Sequence, residues 1–370
     1  MELPDFLKKY LIDEDIKRLK EKEGIQPYLY KDLVFVRLTQ EYKSFPRGTV
    51  FCEDRIIYGY PQIMRILHLT NGINRYFEGE FYVEEKVDGY NVRIALINNT
   101  MLCFTRGGFI CPFTTDRVSD LVDIRFFEQY PEYIICGEVA GPGSPYNTEV
   151  IPYIKEDIQF FVFDIMDRKG KNLSLKDRYE ILQPFKINQV NRWGPFKKGD
   201  IEKIKRIILE LDREEREGIV IKSISNERSA KYVTLGSCLR DLQASTHLMT
   251  ELPAGFFLQR ILRALFFCHE FNIPIEDEFL LKSADALYRI PEKTIHDISE
   301  GKEVKELFEI KVKNKNTIDE LLRLINRSDV RAQLISIEKQ GDYFKARFCR
   351  IYINGTRQIR HKLAGHGFFD

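Results

Sequence analysis

The chain contains no pair of cysteines spaced as C-x-x-C. Its seven cysteines stand apart at positions 52, 103, 111, 136, 238, 268 and 349. That scatter excludes a zinc ribbon and a disulfide framework, and it suits a reducing, cytoplasmic setting. Neither G-x-G-x-x-G nor G-x-x-x-x-G-K-[ST] occurs, which removes the dinucleotide-binding Rossmann unit and the P-loop. Excess charge is also missing. With 57 Lys and Arg against 56 Asp and Glu the net charge is +1, so an anion site must be local rather than a property of the whole surface. The most apolar stretch, Phe256 to Phe267, is interrupted by Gln259, Arg260 and Arg263, which rules it out as a membrane span. Met1-Glu2-Leu3-Pro4-Asp5 lacks a basic n-region and an apolar h-region, so no signal peptide is expected. Internal repeats, low-complexity tracts and long flexible linkers are absent too.

What is present describes a globular protein with ample core. The 370 residues are 44% hydrophobic and 31% charged, a length that suggests two to four domains. Residues 1 to about 24 carry Phe6, Leu7, Tyr10, Leu11, Ile16 and Leu19 at helical spacing before Gly24. Strands follow at 33–36 and 49–51, with Glu53-Asp54 turning a hairpin into Arg55–Tyr58. A short helix with Ile63, Ile66 and Leu67 on one face is expected after Pro61. From 80 to 235 strands dominate, at 81–83, 91–97, 100–105, 134–139, 159–165, 218–222 and 231–234, with Asn98-Asn99 as a turn and a helix over 201–214. Beyond 238 the pattern turns helical, over 239–252, 254–271 and 275–288. A small unit closes the chain with a helix over 316–326 and strands over 331–338 and 342–353. The expected fold class is α+β, divided into an N-terminal α+β module (1–58), a central antiparallel-sheet domain (59–238), a helical block (239–305) and a small C-terminal α/β domain (306–370).

The stretch that organises the chemistry is Glu84-Glu85-Lys86-Val87-Asp88-Gly89, at the end of the extended segment Phe81-Tyr82-Val83. A neutral lysine amine is a nucleophile, and glycine allows a tight turn beside a phosphate. Alone, a lysine–spacer–aspartate–glycine match is as readily a charged turn. Four further clusters follow it in the same domain. Thr105-Arg106-Gly107-Gly108 ends a strand. Gly137-Glu138-Val139-Ala140-Gly141 sets a carboxylate in an apolar strand, where it is costly to bury unpartnered. Phe163-Asp164 closes a buried strand and offers an aromatic that could stack on a base. Glu217-Gly218-Ile219-Val220-Ile221-Lys222 carries charges at both ends of one buried strand, and Lys231 begins the next.

That ordered set resembles the covalent nucleotidyltransferases: ATP-dependent DNA ligases, RNA ligases and mRNA capping enzymes. Asn91, five residues after the lysine, stands where DNA ligases typically carry arginine, and no oligonucleotide-binding barrel follows Lys231. The likeness therefore narrows to archaeal homodimeric ATP-dependent RNA ligases. It implies a nucleotidyltransferase (ATP-grasp-like) core, ATP and Mg²⁺ or Mn²⁺ as cofactors, and dimerisation through the helices of 239–305. It also implies single-stranded RNA with 5′-phosphate and 3′-hydroxyl ends as substrate, circularised through a lysyl-AMP intermediate. By this resemblance Lys86 is the nucleophile, Glu138 binds ribose, Phe163 stacks on adenine, Glu84 contacts the adenine amino group and Glu217 holds the metal. Asn91 and Arg106 would position the RNA 5′-phosphate, and Lys222 and Lys231, with Arg106, would lower the pKa of Lys86. Lys345 and Arg347 would offer RNA a basic face. A DNA ligase, a guanylyltransferase and a silent RNA-binding scaffold are the alternatives.

Overall fold

The computed structural model describes residues 2–146, 151–327 and 330–367. The N-terminal segment forms two helical pieces rather than one, a 3₁₀ turn over Asp5–Lys9 and an α-helix over Asp13–Glu21. The restart is placed by Asp13, Glu14 and Asp15, three carboxylates in a first helical turn, where the macrodipole favours negative charge. Gly24 ends the helix and the chain enters an antiparallel sheet of β1 (Ile25–Tyr30), β2 (Leu33–Leu38), β3 (Val50–Phe51) and β4 (Ile56–Ile57), with the expected hairpin joining the last two.

The helix expected just after Pro61 is displaced. Met64–Arg65 is instead β5, and the helix runs over Leu69–Tyr76. Its start is capped both locally, where His68 Nδ1 accepts from Asn71 N, and from a distance, where the Glu270 carboxylate accepts from Leu69 N and Thr70 N.

Two sheets build the centre. One has the order β10 (Gln159–Met166), β9 (Ile134–Ala140), β7 (Tyr90–Ile97), β8 (Thr100–Thr105), all antiparallel. The other has the order β11 (Arg192–Phe196), β6 (Phe81–Lys86), β12 (Gly218–Ser223), β13 (Ser229–Val233), β5, and only its β13–β5 edge is parallel. The antiparallel expectation therefore holds except at that edge.

Arg93, on β7, joins the N-terminal sheet to the centre. It is fully buried and donates to the carbonyls of Tyr58, Gly48 and Thr105. Arg93→Met should destabilise the protein by about 1–3 kcal/mol, because three buried acceptors lose their donor. Urea denaturation measures this, and wild-type stability would contradict it.

Beyond β13 come helices over Leu235–Ser245, Ala254–Phe271, Asp277–Ala284 and Ile290–Ser299, with a π-helical turn at Asp285–Arg289. The chain closes with β14 (Lys305–Val312), β15 (Val330–Gln340) and β16 (Tyr343–Tyr352) in the order β14-β16-β15, with helices over Asn316–Ile325 and Ile353–Leu363. This unit docks firmly on the centre. Phe308, Ile310 and Leu321 share one apolar cluster with Val92, Ile94 and Phe160, and the Asp116 carboxylate accepts from Asn314 N and Thr317 Oγ1. Among the described residues no helix is long and apolar enough to cross a membrane.

Candidate active site

Lys86 is the last residue of β6, and Val87-Asp88-Gly89 turns the chain into β7. Gly89 is required by crowding: a Cβ there would lie 2.3 Å from the Val139 carbonyl oxygen. Across the sheet Lys86 faces Gly218 of β12. Gly218 sits at φ +150, and a Cβ on it would come within 2.2 Å of the Tyr232 oxygen. The close pairing brings the preceding residue, Glu217, beside the lysine, and Lys86 Nζ donates to Glu217 Oε2. On the other sheet Asn91 lies directly opposite Glu138. Arg106 follows β8 in an exposed turn.

Phe163 owes its position to a β-bulge. The β10–β9 register shifts between Val162 and Asp164, so Phe163 is the extra residue, and such a bulge re-aims a side chain. Its ring lies 5.0 Å from that of Tyr60. These groups surround a cavity of about 490 Å³ whose lining includes Glu84, Lys86, Asn91, Arg106, Glu138, Phe163, Lys222 and Lys231. Of the nine residues singled out in the sequence, Glu217 alone is outside that lining, and it is bonded to Lys86.

The electrostatics differ from expectation. Burial depresses the Lys86 pKa, but the carboxylates of Glu217, Glu138 and Asp88 outweigh it and raise the pKa above the ordinary lysine value. The expected lowering by neighbouring cations is therefore not the resting state. Burial pushes the Glu138 carboxyl up to about 8 and that of Glu217 up to about 7. Lys231 is lowered to about 8 by burial and by the charges of Arg65, Lys86 and Arg106. The site thus opposes carboxyls that resist ionisation to cations crowded by one another, a pattern found at functional sites.

Two of these residues hold other partners. Lys222, expected to lower the pKa of Lys86, is buried and donates to the Phe163 carbonyl at 2.7 Å and Asp164 Oδ1 at 2.8 Å. In register it pairs with Tyr82, four residues before Lys86, which is about 13 Å along a strand. Glu84, expected at the adenine amino group, pairs its carboxylate with Arg178 and with Lys222, the latter at 3.0 Å. Arg178 also donates to the Phe163 carbonyl. Glu84, Asp164, Arg178 and Lys222, with Tyr60 and Asn226 bonded to Asp164, therefore form a buried four-charge network beneath the bulge that presents Phe163. The basic face of the C-terminal sheet is also largely neutralised, since Lys345 and Arg347 both bridge to Glu309.

Sequence reading missed Arg178 and Tyr60. Arg178 had a signal: in the helix Leu175–Leu182 it shares the buried stripe with Leu175 and Leu182, where a charged residue demands a partner. Nothing local marks Tyr60. The ring centres of His361 and His366 lie 5.2 Å apart with the planes tilted by 40°, and among the described residues no cluster of three His, Cys, Asp or Glu side chains could hold a metal by itself.

A lysine at a strand corner, under a cavity between two mainly antiparallel sheets, defines a nucleotidyltransferase-type ligase fold. A family profile described as RNA ligase matches residues 79–233, and one described as the ligase Pab1020 C-terminal region matches residues 244–366. Among solved structures, a putative ATP-dependent DNA ligase from Aquifex aeolicus is 35% identical and covers 96% of this chain and 100% of its own, with a TM-score of 0.91. An archaeal ATP-dependent RNA ligase is 27% identical and covers 99% and 100%, with a TM-score of 0.89. An uncharacterized protein of Methanocaldococcus jannaschii is 28% identical over 367 residues, 95% of this chain and 93% of its own. The chain belongs to the ATP-dependent RNA ligase family.

Proposed function

We propose that the protein transfers AMP from ATP to Lys86, passes it to the 5′-phosphate of single-stranded RNA and joins that end to a 3′-hydroxyl, closing a circle when both ends belong to one molecule. The observation that carries this reading is the convergence of Lys86, Glu138 and Phe163 on one cavity from separate strands of two sheets, with Glu217 bonded to Lys86. Phe163 and Tyr60 offer the adenine an aromatic corner. Glu138 faces the ribose, and Lys231 and Arg106 face the phosphates. Asn91 Oδ1 is buried without a partner beside Glu138, poised for a substrate hydroxyl or a bound water.

In the resting site Glu217 holds a proton on Lys86. For attack on the α-phosphate the amine must lose that proton. Glu217, bonded to the lysine, is a hard oxygen donor suited to Mg²⁺ or Mn²⁺ completed by ATP oxygens. A divalent cation there would cancel the negative charge that raises the lysine pKa and would stabilise charge on the leaving pyrophosphate. The amine then forms a phosphoramidate with AMP as the bond to pyrophosphate breaks.

The sign of the pH dependence follows. A raised lysine pKa keeps Lys86 cationic at neutral pH, so single-turnover AMP transfer should rise with pH from 6 to about 8. The rise should flatten above that value, because Lys231, with its pKa near 8, loses the charge that holds phosphate. A rate independent of pH over 6–8 would contradict the assignment.

Unpaired apolar surface at Leu258, Leu265 and Phe266 on the helix Ala254–Phe271 supports a homodimer through the helical block, and the seven buried free thiols suit the cytoplasm. The test of substrate is direct. With ATP and Mg²⁺, a 5′-phosphorylated single-stranded RNA should become phosphatase-resistant and migrate as a circle. Joining of DNA but not RNA would favour the activity named for the Aquifex relative.

A further inference from the structure

The turn Thr105–Gly108 separates the nucleotide cavity from a second hollow of about 920 Å³, and Thr105 and Tyr146 line both. This hollow lies where the N-terminal sheet, the end of β8 and the C-terminal domain meet. Arg37 comes from β2, Phe109 from the segment after β8, Arg327 from the end of the helix Asn316–Ile325 and Arg350 from β16. Among the described residues no carboxylate lines it. In a chain whose charges otherwise balance, three arginines around one acid-free hollow are a local anion site.

The arginines are arranged with aromatic rings. The Arg37 guanidinium carbon is 3.8 Å from the Phe109 ring centre and that of Arg327 is 5.8 Å from the same ring, while that of Arg350 is 5.4 Å from the Tyr146 ring. Arg37 donates to the Gly107 carbonyl at 2.9 Å, so it braces the turn that carries Arg106. Its remaining bonds go to Gln26, at 3.0 Å and 2.6 Å. Arg350 donates to the Pro145 carbonyl, and its Nε is buried without a partner. Among the described residues neither Arg37 nor Arg350 forms an ion pair with a carboxylate. Guanidinium groups interleaved with ring faces match a polyanion whose bases are unstacked, which describes single-stranded RNA rather than a duplex.

We propose that this hollow seats the nucleotides that follow the RNA 5′-phosphate, with Arg37, Arg327 and Arg350 on the backbone and their ring partners Phe109 and Tyr146 beside the bases. The proposal rests on the RNA-ligase reading of the adjoining cavity. The shared wall at Thr105 and Tyr146 lets one strand run from the hollow past Arg106 to Lys86.

The test measures binding of a 5′-phosphorylated single-stranded RNA to the full-length protein across a range of salt concentrations. Arg327→Gln, Arg350→Gln and wild type are compared, with AMP labelling followed on the same preparations. Each substitution should weaken RNA binding about tenfold and reduce the slope of log affinity against log salt by about 0.7, the loss of one phosphate contact on a single strand. AMP labelling should stay at the wild-type level, because neither residue touches the nucleotide cavity. A 5-iodouridine near the RNA 5′ end should crosslink to the peptide containing Phe109. Wild-type affinity and slope in both variants, with labelling intact, would overturn the proposal. RNA binding that depends on these arginines in a protein that takes no AMP label would leave the hollow standing and remove the ligase reading of the cavity.

Discussion

Lys86→Ala should lose AMP transfer from ATP by more than about 1,000-fold, because the group that forms the covalent bond is gone. The same variant should still join an RNA supplied with a ready-made 5′-adenylate, since that final step needs the cavity but not the lysine amine. Lys86→Arg should behave as Lys86→Ala in the first step, because guanidinium does not deprotonate near neutral pH. The comparison separates the nucleophile from a lysine that merely binds phosphate. If Lys86→Ala sealed 5′-phosphorylated RNA with ATP at wild-type rates, the assignment would fail.

The second large effect lies beneath Phe163. Arg178 is wholly buried, bonded to Glu84 and to the Phe163 carbonyl, and 3.7 Å from Asp164. Arg178→Met removes one cation and leaves two buried carboxylates facing Lys222 alone. Breaking a buried network in this way costs about 3–5 kcal/mol. It should also loosen the bulge, so ATP affinity falls more than the rate at saturating ATP. Denaturation gives the first quantity and single-turnover labelling at several ATP concentrations gives the second. Arg178→Met combined with Glu84→Gln should be less damaging than the sum of the single changes, because the uncompensated charge is removed. Full additivity would show that the two residues act apart.

What the sequence makes legible is the order of charged motifs along strands. Lys86, Asn91, Arg106, Glu138, Glu217 and Lys231 each end or interrupt an apolar strand, where a polar group is expensive unless it has a task. The central strands are equally plain, since β7, β9, β10 and β12 are apolar runs bounded by turn residues. What stays hidden depends on register and on distant partners. Lys222 lies on the same strand as Gly218, but pairing with Tyr82 carries it away from Lys86 and beneath Phe163. Glu84 is two residues from Lys86, yet a helix nearly a hundred residues later claims its carboxylate. The displaced helix at Leu69 follows the same rule in part, because Glu270 holds two of its first backbone N–H groups.

The central claim is that Lys86 becomes adenylated. The purified protein is incubated with ATP and Mg²⁺ without RNA, digested, and its peptides are weighed. The account predicts one AMP adduct, on the peptide containing Lys86, removed by acid and absent when GTP replaces ATP. An adduct on another residue, a GMP adduct from GTP, or no adduct at all would contradict it.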